Sequence, residues 1–215
     1  MISNLSVFFK YKFIKSLIDR FTALILLLFL IPFLLIISVL IKINLGSPIF
    51  FMQNRPGYKT KSFKLIKFRT MTTEKYKNGK LLLDFQRLGT FGKFLRSTSI
   101  DEFPELINII KGDLSFIGPR PLLEKYLAHY NSDQIKRHNV LPGLSGWAQV
   151  NGRNSISWED KFNLDIWYVE NQSFLLDLNI LLKTIFKVIL MKGINSSDKV
   201  TMEEFTGNKV DSKKK

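Results

Sequence analysis

The stretch Arg96-Ser97-Thr98-Ser99-Ile100-Asp101-Glu102-Phe103-Pro104 sets two adjacent carboxylates behind an arginine and three hydroxyls, where a helix would begin. Two accounts fit it. Acidic side chains complement the positive end of a helix, and Ser99 with Glu102 has the spacing of a capping box. Alternatively, one carboxylate attacks phosphorus to give an acyl phosphate while its neighbour holds a divalent ion that neutralises phosphate charge. The surrounding positive charge favours the second account. Lys64, Lys67, Arg69, Arg96, Arg120 and Arg153 come from segments rich in Gly, Pro and hydroxyl residues, and the planar fork of arginine suits phosphate oxygens. Arg120 lies in Gly118-Pro119-Arg120-Pro121, where flanking prolines stiffen the backbone that carries it.

A second constellation runs from Gly143 to Asn154, Gly-Leu-Ser-Gly-Trp-Ala-Gln-Val-Asn-Gly-Arg-Asn. Its glycines permit close backbone approach, Gln149 and Asn151 can read a base or sugar edge, and Arg153 can take a phosphate. A structural turn cluster around a core Trp147 explains the same residues equally well.

Composition narrows the partners. Of 215 residues, 32 are Lys or Arg and 18 are Asp or Glu, a net charge of +14 that suits nucleic acid, anionic lipid headgroups or phosphorylated substrates. Nucleic acid is the poorest fit, since no groove-reading module is recognisable and a long apolar run would go unused. With no cysteine and 2 histidines, thiolate catalysis, disulfides and the usual zinc sites are excluded, leaving an oxygen-ligated metal such as Mg2+.

The elements that must position these groups begin with the run Phe21–Ile41, which carries no charge and is about as long as a helix needs to cross a ~30 Å hydrocarbon core. Basic residues flank both of its ends, and Pro32 at its middle removes a backbone hydrogen bond. A spanning helix and a re-entrant element with both flanks on one face are both compatible with this. Phe174–Met191 interleaves apolar residues with Asp177, Asn179, Lys183 and Lys187, which describes either a core helix or a helix lying in the lipid interface. Between these segments, Ile49–Met52 and Phe63–Phe68 around Pro56-Gly57 predict a β-hairpin. Helical patterns follow at 91–96, 101–111, 122–130, 132–137 and 157–170, the last opened by Ser157 with Asp160 three residues on. The segments 117–121 and 141–147 are expected to be loops. The whole is a helix-rich α+β chain.

The motifs in their order resemble the bacterial sugar transferase family, the monotopic polyprenyl-phosphate phosphoglycosyl transferases. The residues that carry the resemblance are Asp19-Arg20, Gln53–Gly57, Lys67-Phe68-Arg69-Thr70-Met71, Arg96 with Ser99 and Asp101-Glu102, Lys111–Pro121 and Pro142–Arg153. The stretch Asn151–Trp158 and the compact length are most similar to the small bacillosamine-type members. One departure is Ile31, which stands before Pro32 where such members would have a serine.

The resemblance implies a fold, a reaction and a site. It implies a monotopic domain with a re-entrant helix in residues 1–45 near Pro32 and a cytoplasmic transferase domain in 46–205 with interfacial amphipathic helices; the basic tail in 206–215 is expected, from its own residues, to be disordered. Asp101 would attack the β-phosphorus of a UDP-sugar, release UMP and pass the phosphosugar to undecaprenyl phosphate. Glu102 would bind Mg2+, Arg96 and Arg120 would hold phosphate oxygens together with Lys67 and Arg69, and Arg153 and Asn151 would sit at the nucleotide end. An N-acetylated amino sugar such as N,N′-diacetylbacillosamine is the expected cargo, with glucose-1-phosphate or galactose-1-phosphate next. The product would feed glycoprotein, capsule, O-antigen or exopolysaccharide assembly. The implied location is the bacterial inner membrane, with membrane lipid and downstream glycosyltransferases as partners; a homodimer is left open. The alternative from another class is a catalytically silent membrane scaffold.

Overall fold

The computed structural model describes residues 2–73, 76–77, 80–152, 156–189 and 204–207. It is a helix-rich α+β structure. The chain divides into two compact units, one made of residues 1–53, 64–112 and 186–200, the other of 54–63, 113–185 and 201–215.

The first unit is built on α1 (Ile2–Leu45), a 44-residue helix that contains Pro32 without interruption. At a rise of 1.5 Å per residue it is about 66 Å long. Among the described residues, 11–45 form the one helix long and apolar enough to cross a membrane. Phe21, Leu28, Phe29, Leu35, Ile36 and Ile43 are exposed along it, an apolar surface that water disfavours and lipid accepts. Its other side buries Ile37 and Ile41 against Phe68 and Leu95, with Leu34, Phe91 and Ile100 around them. The expected anchor is therefore part of the same packed core as the segment around Asp101.

The expected hairpin is present as β1 (Phe50–Pro56) and β2 (Ser62–Phe68), closed by the Gly57 N–H donating to the Lys61 carbonyl at 2.9 Å. Strands β3 (Tyr76–Lys77) and β4 (Lys80–Leu81) and the short α2 (Asp84–Arg87) follow; they are too short for periodicity to reveal. Helix α3 (Thr90–Ser97) buries Leu95 and approaches the chain after β2 so closely that a Cβ on Gly92 would lie 1.9 Å from the Thr70 carbonyl oxygen.

The helix expected over 101–111 is split. Residues Ile100–Glu102 form a 3-10 turn, and α4 (Glu105–Lys111) starts after Pro104, which has no N–H to continue a helix from before it. The capping box is not formed: Ser99 is left-handed, at φ 56, and its side chain makes no cap bond. Gly112 ends α4 at φ +82, and a Cβ there would meet the Arg20 guanidinium at 2.2 Å. This cation from α1 sits at the negative end of α4.

In the second unit, the loop expected at 117–121 holds over 118–121, just after β5 (Ser115–Ile117), whereas the one expected at 141–147 contains β6 (Gly143–Ser145); the two strands pair in parallel with Ser115 opposite Gly143. Glycine is required at this contact, since a Cβ on Gly143 would come within 2.1 Å of the Gly118 nitrogen. Helix α5 (Trp147–Asn151) follows, then α6 (Trp158–Asn171), which Ser157 opens as expected by accepting from the Asp160 N–H at 3.0 Å. The helical patterns at 122–130 and 132–137 are 3-10 segments, Glu124–His129 and Gln134–Asn139. The core comprises Ile117, Val140, Val150, Tyr168, Val169 and Ile180, beside an aromatic cluster of Tyr126, Phe162 and Phe205.

Helix α7 (Phe174–Ile189) turns Asp177 and Ile180 inward, and the Tyr168 hydroxyl donates to Asp177 at 2.7 Å. Its exposed residues Phe174, Leu175, Leu178, Leu181, Leu182 and Ile185 recur at helical spacing, so its outward face is apolar. Of the expected tail, residues 208–215 lie outside the described residues.

Candidate functional site

In the first unit the carboxylate pair occupies the 3-10 turn between α3 and α4. Asp101 is 9% exposed. The side chain of Glu102 is 19% exposed and meets Lys67, which reaches across from β2 with its Nζ 2.7 Å from Glu102 Oε1. The same ammonium lies 3.0 Å from Glu105 Oε1, whose side chain is 2% exposed. Residues three apart in helical conformation stack above one another, which brings Glu102 and Glu105 to one lysine.

The register of Lys67 is fixed by Asn108 of α4. Its side-chain amide donates to the Lys64 carbonyl at 2.8 Å and accepts from the Ile66 N–H at 3.0 Å, completing the edge of β2 as another strand would. Sequence reasoning missed Asn108 and Glu105. The available signal was a single amide and a single carboxylate inside the otherwise apolar face of Glu-Leu-Ile-Asn-Ile-Ile.

Arg96 donates from Nε to the Thr70 hydroxyl at 3.0 Å, which aligns it on α3 in the same unit as Asp101. Arg69, expected to hold phosphate, is committed to backbone: its Nη1 donates to the Ser47 carbonyl at 2.8 Å and its Nη2 to the Leu45 carbonyl. Burial pulls its pKa below the ordinary arginine value. Its visible task is to cap the exit of α1.

The second unit carries Arg120 and Asn151. Arg120 Nη1 donates to the Leu144 carbonyl at 3.4 Å, and its own carbonyl accepts from Arg137 Nη2 at 2.7 Å. Arg137 is buried and paired with buried Asp165, donating from Nη2 at 2.7 Å and from Nε at 3.1 Å. The Gly-Pro-Arg-Pro segment is thus held from beneath by an ion pair that sequence reasoning did not see. Asn151 donates to the Trp147 carbonyl at 2.8 Å at the exposed end of α5. Trp147 stacks on Trp167 with ring centres 5.2 Å apart, and the Lys183 ammonium lies 4.6 Å from its ring centre. Arg153 lies outside the described residues.

No group of three or more His, Asp or Glu side chains among the described residues could by itself cage a metal ion. Magnesium does not need one, because one or two carboxylates with substrate phosphates and water complete its shell. Glu102 fits such a role as a half-buried hard oxygen donor already facing a cation.

The model of the family described as bacterial sugar transferase matches residues 10–191. The chain is 51% identical over 195 residues to the uncharacterized sugar transferase EpsL of Bacillus subtilis (strain 168), an alignment that covers 91% of this chain and 96% of that one. It is 35% identical over 187 residues to the UDP-N-acetylgalactosamine-undecaprenyl-phosphate N-acetylgalactosaminephosphotransferase of Aeromonas hydrophila, covering 83% of this chain and 44% of that one. To the UDP-glucose:undecaprenyl-phosphate glucose-1-phosphate transferase of Xanthomonas campestris pv. campestris it is 34% identical over 189 residues, covering 83% of this chain and 39% of that one. The chain belongs to the bacterial sugar transferase family and is a phosphosugar transferase, as the ordered motifs led one to expect.

Proposed function

We propose that this enzyme moves a sugar-1-phosphate from a UDP-sugar to undecaprenyl phosphate and releases UMP, as a membrane step of exopolysaccharide or capsule assembly. The observation that carries this reading is the Asp101-Glu102 turn, set beside Lys67 and Arg96 in the unit built on the apolar helix α1. An oxygen of Asp101 attacks the β-phosphorus, the bond from that phosphorus to the UMP oxygen breaks, and UMP leaves with the electron pair. An oxygen of undecaprenyl phosphate then attacks the same phosphorus and frees the Asp101 carboxylate. Arg96 holds phosphate oxygens as charge builds on them. Glu102 would hold Mg2+, which supplies charge neutralisation at the diphosphate. Arg120, Asn151 and Arg153 are assigned by resemblance to phosphate and nucleotide contacts, and alanine at each should raise KM for the donor.

The names of the relatives span glucose and N-acetylgalactosamine, so the donor class is a UDP-hexose or UDP-N-acetylated hexosamine. N,N′-diacetylbacillosamine heads the test panel because Asn151–Trp158 resembles the bacillosamine-type members. Purified protein with Mg2+, undecaprenyl phosphate and this panel should release UMP with at least one donor; silence across the panel would favour a scaffold. Asp101→Asn should abolish both UMP release and sugar-phosphate labelling of the protein, and retained labelling would remove Asp101 from its role. The outward apolar face of α7 supports an interfacial helix, and the apolar α1 supports a membrane position with the catalytic turn at the cytoplasmic surface.

A further inference from the structure

We propose that Glu105 is a positioning residue whose task is to retain Lys67 so that Glu102 can release it when a divalent cation arrives. The inference rests on the reading of Glu102 as the metal-binding carboxylate. The Lys67 ammonium lies between Glu102 Oε1 at 2.7 Å and Glu105 Oε1 at 3.0 Å. The two carboxylates differ in their freedom. Glu105 is 2% exposed in the first turn of α4 and cannot turn to water, whereas Glu102 is 19% exposed in the 3-10 turn.

Drawing a facing cation away from a buried carboxylate is costly, so Lys67 stays on Glu105 whatever Glu102 does. One ammonium shared by two anions binds each less firmly than it would bind one alone. Glu102 is therefore a carboxylate whose charge is neutralised before the metal arrives yet remains exchangeable. Asn108 contributes by pinning Lys64 and Ile66 of β2, which limits how far Lys67 can follow Glu102.

The direct test is the affinity of full-length, detergent-purified protein for Mn2+ alone, read from the loss of the free-ion EPR signal. Glu105→Gln keeps the side chain's shape and leaves Lys67 to Glu102, so Mn2+ affinity should fall about tenfold. Lys67→Met combined with Glu105→Gln removes the competing ammonium and the buried charge together, and should return the affinity to within about threefold of the native value. Unchanged affinity in Glu105→Gln, or no recovery in the double variant, would overturn the proposal. Should Glu105→Gln alone fail to fold, the double variant decides: native-like affinity supports the proposal and lost affinity overturns it. Glu102→Gln separates the two readings. If it leaves Mn2+ binding intact, Glu102 is not the metal carboxylate; if it abolishes binding while Glu105→Gln changes nothing, only the role of Glu105 falls.

Discussion

His138 is the clearest case in which a single buried group sets a pH response. Its ring is buried in the second unit, Nδ1 donates to the Gly57 carbonyl at 3.0 Å, and Nε2 meets no hydrogen-bond partner among the described residues. Burial, and then the neighbouring Arg137 cation, lower its pKa from 6.5 to about 4. The unfolded chain takes up this proton below pH 6.5, whereas the folded chain refuses it until about pH 4. The stability contributed is full above that window and declines as the pH falls through it, by about 3 kcal/mol in all at about 1.4 kcal/mol per pH unit. Urea unfolding midpoints of the native protein should fall more steeply from pH 7 to pH 4 than those of His138→Gln; identical slopes would show that His138 does not titrate in this way. At this scale the sequence was an uneven guide. The pair Asp101-Glu102 and the cations Lys67 and Arg96 stand out in the sequence because their types and neighbours are unusual, and the structure places all four in one unit. The backbone partners of Arg69 at the exit of α1 were not legible, because carbonyls leave no mark in a sequence. Arg137 and Asp165 were missed because a pair 28 residues apart has no local pattern.

At the scale of elements, periodicity worked where it had room. Helices α6 and α7 and the hairpin β1–β2 lie where helical spacing, alternation or a Pro-Gly turn put them, and α1 contains the expected run 21–41 but begins far earlier, at Ile2. It failed where Pro104 divides a continuous helical pattern and where β5 and β6, of 3 residues each, are too short to show a period. For α7 the pattern fixed the two faces but not which one points inward; the structure buries Asp177 and exposes the leucines. Replacing exposed Leu178 and Leu182 by lysine should leave the fold intact, since neither belongs to the core cluster. It should weaken binding of the isolated protein to vesicles at least several-fold if that face lies in lipid. Sedimentation with liposomes of mixed neutral and anionic lipid would measure this, and undiminished binding would return α7 to the role of a water-facing helix.

For the whole molecule, an apolar helix flanked by lysines points to a membrane and an overall charge of +14 points to anionic partners, without choosing among them. Its topology can be read because the chain has no cysteine of its own. With Leu5→Cys and Lys61→Cys introduced singly, a membrane-impermeant maleimide should reach both positions only from the cytoplasmic side of inner-membrane vesicles. Labelling from opposite sides would make α1 a spanning helix.

The sharing of core residues between α1 and the transferase segments governs the order in which the protein can be made. Ile37 and Ile41 leave the ribosome well before Phe68 and Leu95, with which they pack. The helix is therefore available first, as the surface on which the later segments condense. Until they do, Lys67 and the carboxylates of Glu102 and Glu105 belong to an uncollapsed chain, so their ion pairs form only once β2 and the turn before α4 have settled on a helix made earlier.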